Sequence, residues 1–340
     1  MPTINKGSDY FGVLTYTGDG AASKTIVDTN AVSFTPDFVW VKGRSGATDH
    51  ALYDAVRGTT KQLESNTTTA ETTETTGLTG FVNGGFTVGN LAQMNTSGAT
   101  YVAWCWKANG AGSSNTSGSI TSTVSVNATA GFSVVTYTNS AGRAAHSVGH
   151  GLGVAPKMFI VKTRSATADW VVYHASLGAT GALYLNQTLA TQTSSSFFNN
   201  TAPTSSIITL GSGLSDAGVT IVAYCWAEIA GFSKFGSYTG NGSADGTFIY
   251  TGFRPKYLLI KRTDSAGYSW FLWDSVRNTY NVAQYDLYPN VADAEGSGDY
   301  VDILSNGFKM RDTGASRNAS GGTYIYMAFA EVPTKFANAR

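Results

Sequence analysis

The chain predicts an all-β fold of three tandem β-sandwich domains, jelly-roll or concanavalin-like, built from one internal repeat. Three observations lead there. Charged residues are only 13% of the 340, while Gly, Ser and Thr make up roughly a third, a composition poor for helices and rich in turn formers. Apolar runs are short, β-branched or aromatic, and broken by Gly, Asn, Ser and Asp clusters about every eight to twelve residues, the spacing of strands in a sandwich or barrel. One ordered pattern also occurs three times, and a repeat outranks local signals in deciding organisation.

Each copy opens on a tyrosine turn: Tyr16-Thr17-Gly18, Tyr137-Thr138-Asn139 and Tyr238-Thr239-Gly240. A proline-led run follows, Pro36 to Lys42, Pro156 to Lys162 and Pro255 to Lys261, with lysine six residues after proline each time. Proline fits the first residue of a strand, where its missing amide costs the ladder least. A middle run recurs as Leu52-Tyr53-Asp54, Val172-Tyr173-His174 and Leu272-Trp273-Asp274. The copies close on Tyr101–Trp106, Ile221–Trp226 and Tyr324–Phe329, with 70, 70 and 74 residues from proline to the last aromatic. Alternation in the first closing run puts Tyr101, Ala103 and Cys105 on one face and Val102, Trp104 and Trp106 on the other. Both faces are largely apolar, which marks a central strand.

These landmarks set three repeats at residues 1–107, 120–228 and 229–340, with seven or more strands each; a barrel is the alternative architecture. Residues 108–119 are nearly all Gly, Ser, Asn and Thr and read as a flexible linker that frees the first repeat from the second. The connector Ala227 to Ser237 carries Ile229, Phe232 and Phe235, so repeats two and three are expected to form a stiffer unit. The polar stretches Glu64 to Leu78, Thr188 to Ser206 and Asn290 to Gly298 read as equivalent surface loops.

Charge and motifs exclude much chemistry. With 22 basic and 22 acidic residues and no like-charge run, nothing supplies the field that a phosphate backbone requires, so no nucleic-acid partner is expected. No apolar run approaches membrane-spanning length and the start Met1-Pro2-Thr3 has no signal-peptide character, so membrane insertion and secretion are not expected. Two cysteines, Cys105 and Cys225, sit at equivalent strand positions where the third copy has Ala328, a slot for a small apolar side chain. The histidines His50, His146, His150 and His174 share no metal spacing and read as solvated or locally hydrogen-bonded. Asn241 to Gly246 resembles half a calcium loop, but Gly252 stands where the bidentate glutamate belongs, so a hairpin turn is expected. Gly149 to Gly153 precedes a strand rather than a helix and reads as a turn. No cofactor, metal or catalytic residue is expected.

Three sets of residues remain. Asp54 and Arg57 recur as Asp274 and Arg277 but become His174 and Leu177 in the second copy, which suggests a local ion pair fixing a loop. Lys42, Lys162 and Lys261, followed by Arg44, Arg164 and Arg262, are assigned to solvent-facing strand ends with their stems over aromatics. Trp170, Tyr268 and Trp270 follow Ser/Ala-type turns and are the candidate rings for stacking on a sugar face, with core burial as the competing assignment.

The wording of three segments, Val148 to Met158, Gly236 to Gly246 and Tyr324 to Glu331, resembles an uncharacterised repeat family of tailed phages, largely marine and cyanophage, over nearly the whole chain. That resemblance implies a virion structural or tail-fibre protein made in the host cytoplasm, and supplies no catalytic residues. The function expected is therefore non-enzymatic: a tail fibre or receptor-binding appendage contacting host surface glycan. A capsid decoration or head fibre is the first alternative and a polysaccharide depolymerase the second. Expected partners are other virion proteins, copies of itself, by analogy as a trimer, and host carbohydrate.

Overall fold

The computed structural model describes residues 4–214 and 216–332; the outermost residues of the predicted first and third repeats, and the start Met1-Pro2-Thr3, lie outside the described residues. The protein is all-β, with 42% strand and 5% helix; among the described residues the strands pair antiparallel, with one isolated parallel bridge between Ile120 and Val148. Each predicted repeat contributes an inner four-strand set in the same order, opener, closer, proline strand, middle strand. In the first these are Phe11–Thr17, Thr100–Trp106, Phe38–Gly43 and Ala51–Asp54. The second uses Phe132–Thr138, Thr220–Trp226, Met158–Thr163 and Val171–His174. The third uses Ser233–Thr239, Thr323–Ala330, Pro255–Arg262 and Phe271–Asp274. Register follows the repeat: Phe38 faces Trp106, Met158 faces Trp226 and Tyr257 faces Phe329.

Both faces of every closer are buried, as their alternation requires, but in different cores. Tyr101, Ala103 and Cys105 pack beneath an outer sheet formed by Lys24–Val27, Gly85–Val88 and Leu78–Val82. Ile221, Ala223 and Cys225 do the same under His146–Gly149 and Ile207–Leu210. Tyr324, Tyr326 and Ala328 lie under a four-stranded sheet that runs from Phe248–Tyr250 to Ala283–Asp286.

The opposite faces, Val102/Trp104/Trp106, Val222/Tyr224/Trp226 and Ile325/Met327/Phe329, all enter one central core. There the closing aromatics meet: the Trp106 ring lies 6.1 Å from Trp226 and 5.9 Å from Phe329, centroid to centroid. Offset and edge-on rings at such distances add about 0.5–1.5 kcal/mol per pair beyond area burial. The three inner sheets therefore wrap a shared apolar centre.

That centre corrects two expectations. The first repeat is not free of the second, because all three close on the same core, which also takes Phe232 and Phe235 of the connector between repeats two and three. Residues 108–119 are not a loose linker either. Asp37 accepts the amides of Ala108 (2.6 Å) and Gly110 (2.8 Å), Ser113–Asn115 forms a strand on Ser122–Asn127, and that strand pairs with the second opener. Composition misled here because small polar residues serve an edge strand packed on backbone as well as they serve a solvated tether. At Gly118 a Cβ would stand 2.4 Å from the Ser147 carbonyl oxygen, so only glycine allows this approach.

Candidate functional site

The residues that recur in all three copies converge on the junctions between repeats. Lys42, Lys162 and Lys261 have no exposed surface, contrary to their assignment to solvent. Each donates to a backbone carbonyl of the preceding repeat's long loop: Lys42 to Ala292 (3.1 Å), Lys162 to Thr68 (2.9 Å) and Lys261 to Thr188 (3.4 Å). The same carbonyls accept the amides of Thr48, Ala168 and Gly267, so every junction has one oxygen clasped twice. A second backbone bond follows at Glu295 to Arg44, Glu71 to Arg164 and Thr191 to Thr263. Burial pushes each ammonium down to about 8. The three polar stretches expected as surface loops are thus the clasps of a closed ring, one to two, two to three, three to one.

Ring N–H groups repeat this logic at one equivalent position. Trp170 donates its indole N–H to the Glu64 carbonyl at 2.8 Å and Trp270 donates to that of Tyr184 at 2.9 Å. His50 occupies the slot in the first copy and lies 3.0 Å from the Tyr288 carbonyl through Nε2. Its tautomer follows from chemistry: Trp40 Nε1, a donor only, reaches His50 Nδ1 at 2.8 Å, so Nδ1 accepts and Nε2 carries the proton. Trp170 and Trp270 are buried at 0% and 1% exposure, which removes them as sugar platforms. Tyr268 is half-buried, with the Arg262 guanidinium over its ring at 4.7 Å and its carbonyl taken by Lys261, so one ring face and the backbone carbonyl are already engaged.

Asp54 and Arg57 do fix a turn, since Asp54 accepts the amides of Val56 and Arg57. They also reach across the first junction. The Arg57 side chain, fully buried, donates to Asp54 (2.5 Å), Glu71 (3.1 Å) and the Tyr224 hydroxyl (3.1 Å), while that hydroxyl donates back to Asp54 (2.8 Å). Arg164 completes the chain by a bidentate pair with Glu71. Burial pushes the Glu71 carboxyl up, but the Arg164 and Arg57 guanidinium groups outweigh it and hold it below its usual value. The third junction has the same parts: Asp274, Arg277, Glu295 and Arg44, with the Trp104 indole N–H donating to Asp274 at 3.1 Å.

The second junction lacks every one of them. His174, Leu177, Thr191, Thr263 and Met327 stand in place of the carboxylate, the guanidinium, the glutamate, the receiving arginine and the ring donor. A carboxylate at residue 174 would face Met327, which has no N–H or O–H to offer, and a buried charge without donors is costly. His174 instead sits 3.2 Å from the Tyr326 carbonyl. The charged network is present whole or absent whole. The third copy's Arg262 is one position out of register with Arg44 and Arg164 and pairs locally with Asp264.

The other candidates are structural. All four histidines are buried rather than solvated; His146 meets the Tyr137 hydroxyl at 3.0 Å and His150 the Thr204 carbonyl at 3.2 Å. In the segment Asn241 to Gly246, Asn241 and Ser243 oxygens accept backbone amides of the same turn and Asp245 pairs with Lys309, so the oxygens are engaged. Cys105 and Cys225 are free thiols at 0% exposure, pushed upward in pKa by burial, to about 12 for Cys225. Among the described residues no group of three or more His, Cys, Asp or Glu is placed to hold a metal, and no helix is long and apolar enough to cross a membrane.

Residues 6–333 match a family described as a domain of unknown function, DUF7483, and the chain belongs to that family. No curated protein matches it.

Proposed function

We propose that this DUF7483 chain is a non-enzymatic structural protein of a phage virion, a tail fibre or receptor-binding appendage that contacts host surface glycan. One observation supports a structural role above all: the charged groups that recur between the repeats are spent on joining those repeats. Within the proposal, the three sheet pairs are copies of one sandwich unit, and the clasped ring gives a stiff body suited to bearing load. The phage assignment rests on the sequence resemblance. The abundant aromatics are largely buried inside one chain, so a trimer would have to use other surface, such as the exposed Phe248, Tyr250 and Tyr280 of the third repeat.

The test is labelling and neutralisation of particles. Immunogold against the protein is expected to decorate the tail, and saturating antibody to block adsorption to the host. Labelling of the head with adsorption unimpaired would favour a capsid decoration protein instead. Release of reducing ends from host capsule or lipopolysaccharide would favour the depolymerase.

A further inference from the structure

One pocket of about 340 Å³ is lined by six side-chain hydroxyls that make no hydrogen bond to another described residue. Thr136 and Thr138 come from the opener, Thr220 from the closer, and Ser114, Thr121 and Thr123 from the hairpin built by the former linker. The equivalents of the first three are hydroxyls in every repeat: Thr15, Thr17 and Thr100 in the first, Ser237, Thr239 and Thr323 in the third. Among the described residues, an added hairpin raises a wall beside this ledge in the second repeat alone. Arg164 also lines the pocket; its pair with Glu71 uses Nε and Nη2 and leaves Nη1 as a spare donor.

The geometry points to a subsite for a neutral saccharide. Side-chain hydroxyls both donate and accept, as sugar hydroxyls do, so six of them can match a ring whatever its hydroxyl orientation. The volume lies at the lower end of small-molecule sites, about 300–1,000 Å³, room for roughly one or two sugar units. Charge selects against an anionic ligand. Arg164 belongs to a chain of two guanidinium groups and two carboxylates, Arg164, Glu71, Arg57 and Asp54, whose charges cancel.

This inference rests on the glycan-contacting reading above and names the ligand class. It is tested on the full chain by saturation-transfer NMR with glucose, galactose, N-acetylglucosamine and their disaccharides, and with sulfate and glucuronate as anionic probes. At least one neutral sugar is expected to receive saturation. The near-isosteric double variant Thr123→Val/Thr136→Val should weaken its binding about tenfold, the factor that corresponds to about 1.4 kcal/mol of lost hydrogen bonding. The pair Ser114→Ala/Thr121→Ala, on the exposed hairpin, serves as a second variant should the first not fold. Absence of transfer to all the neutral sugars, transfer to the anions only, or binding unchanged in a folded variant would overturn the site. Sugar binding lost in the variants, with antibody that leaves adsorption intact, would sink the appendage reading and keep the site. Blocked adsorption without neutral-sugar binding would do the reverse.

Discussion

Replacing Arg57 by lysine keeps the charge and should still cost the protein about 3 kcal/mol. Arg57 spends all five of its N–H groups: Nε on Asp54, Nη1 on the Lys61 carbonyl and Glu71, Nη2 on the Leu52 carbonyl and the Tyr224 hydroxyl. Lysine brings three donors at one point, so at least two hydrogen bonds made by the buried charged group are lost, at about 1.5–3 kcal/mol each. Arg57→Leu leaves Asp54, whose side chain is fully buried, without its cation, and should cost about 3–5 kcal/mol. The double variant Asp54→His/Arg57→Leu copies the second repeat's own solution, His174 with Leu177, and removes the orphaned carboxylate. It should be less destabilised than Arg57→Leu alone, a coupling of about 1–3 kcal/mol in the double-mutant cycle. Urea unfolding followed by tryptophan fluorescence reads all of these, with a constant slope as the check that only stability has changed. An Arg57→Lys midpoint equal to that of the unaltered chain, or strictly additive costs in the cycle, would refute the reasoning.

Acid should destabilise the protein through its buried histidines. Burial lowers His50 to about 3 and His174 to about 4, whereas the unfolded chain protonates near 6.5, so stability falls as pH drops below about 6.5 and this loss levels off below about 3. The three clasp lysines act at the other end: folded near 8 against 10.5 unfolded, they make stability climb from about pH 8 until tyrosine ionisation in the unfolded chain near 10 reverses it. Urea midpoints across pH check both limbs; a flat profile from 6.5 to 4 would refute the first. Gly118→Ala should unseat the hairpin and open residues 108–119 to limited proteolysis, while a cleavage pattern unchanged from the parent would restore the loose tether. Cys105 and Cys225 should be unreactive to a thiol reagent in the native protein and react together on unfolding, so rapid native labelling would contradict their burial.

The strand content and the threefold pattern were readable because both are periodic. Proline-to-lysine spacing, the closing aromatics and their two-faced alternation each report a backbone period, and the inner sheets carry them in register. Two apolar faces on Tyr101–Trp106 mark a central strand in the sequence; in the fold the second face is the meeting place of all three repeats. The clasps were not readable for a physical reason. Lys42, Lys162 and Lys261 are bound by backbone carbonyls, which leave no mark in a sequence, and a polar loop has the same composition whether water or a neighbouring repeat satisfies it. One signal was available. Asp54 and Arg57 change together to His174 and Leu177, and Met327 replaces the ring donor in the copy that follows, a correlated set that marks a shared contact. Trp170 and Trp270 follow the competing assignment, core burial, because a turn before a ring says nothing of what covers it.

Differential scanning calorimetry of the whole chain tests the shared core most directly. One body closed on a common centre should melt in a single transition whose calorimetric enthalpy equals its van't Hoff enthalpy. Three resolved transitions, or a calorimetric enthalpy about three times the van't Hoff value, would mean that the repeats fold independently and that the central core does not bind them together.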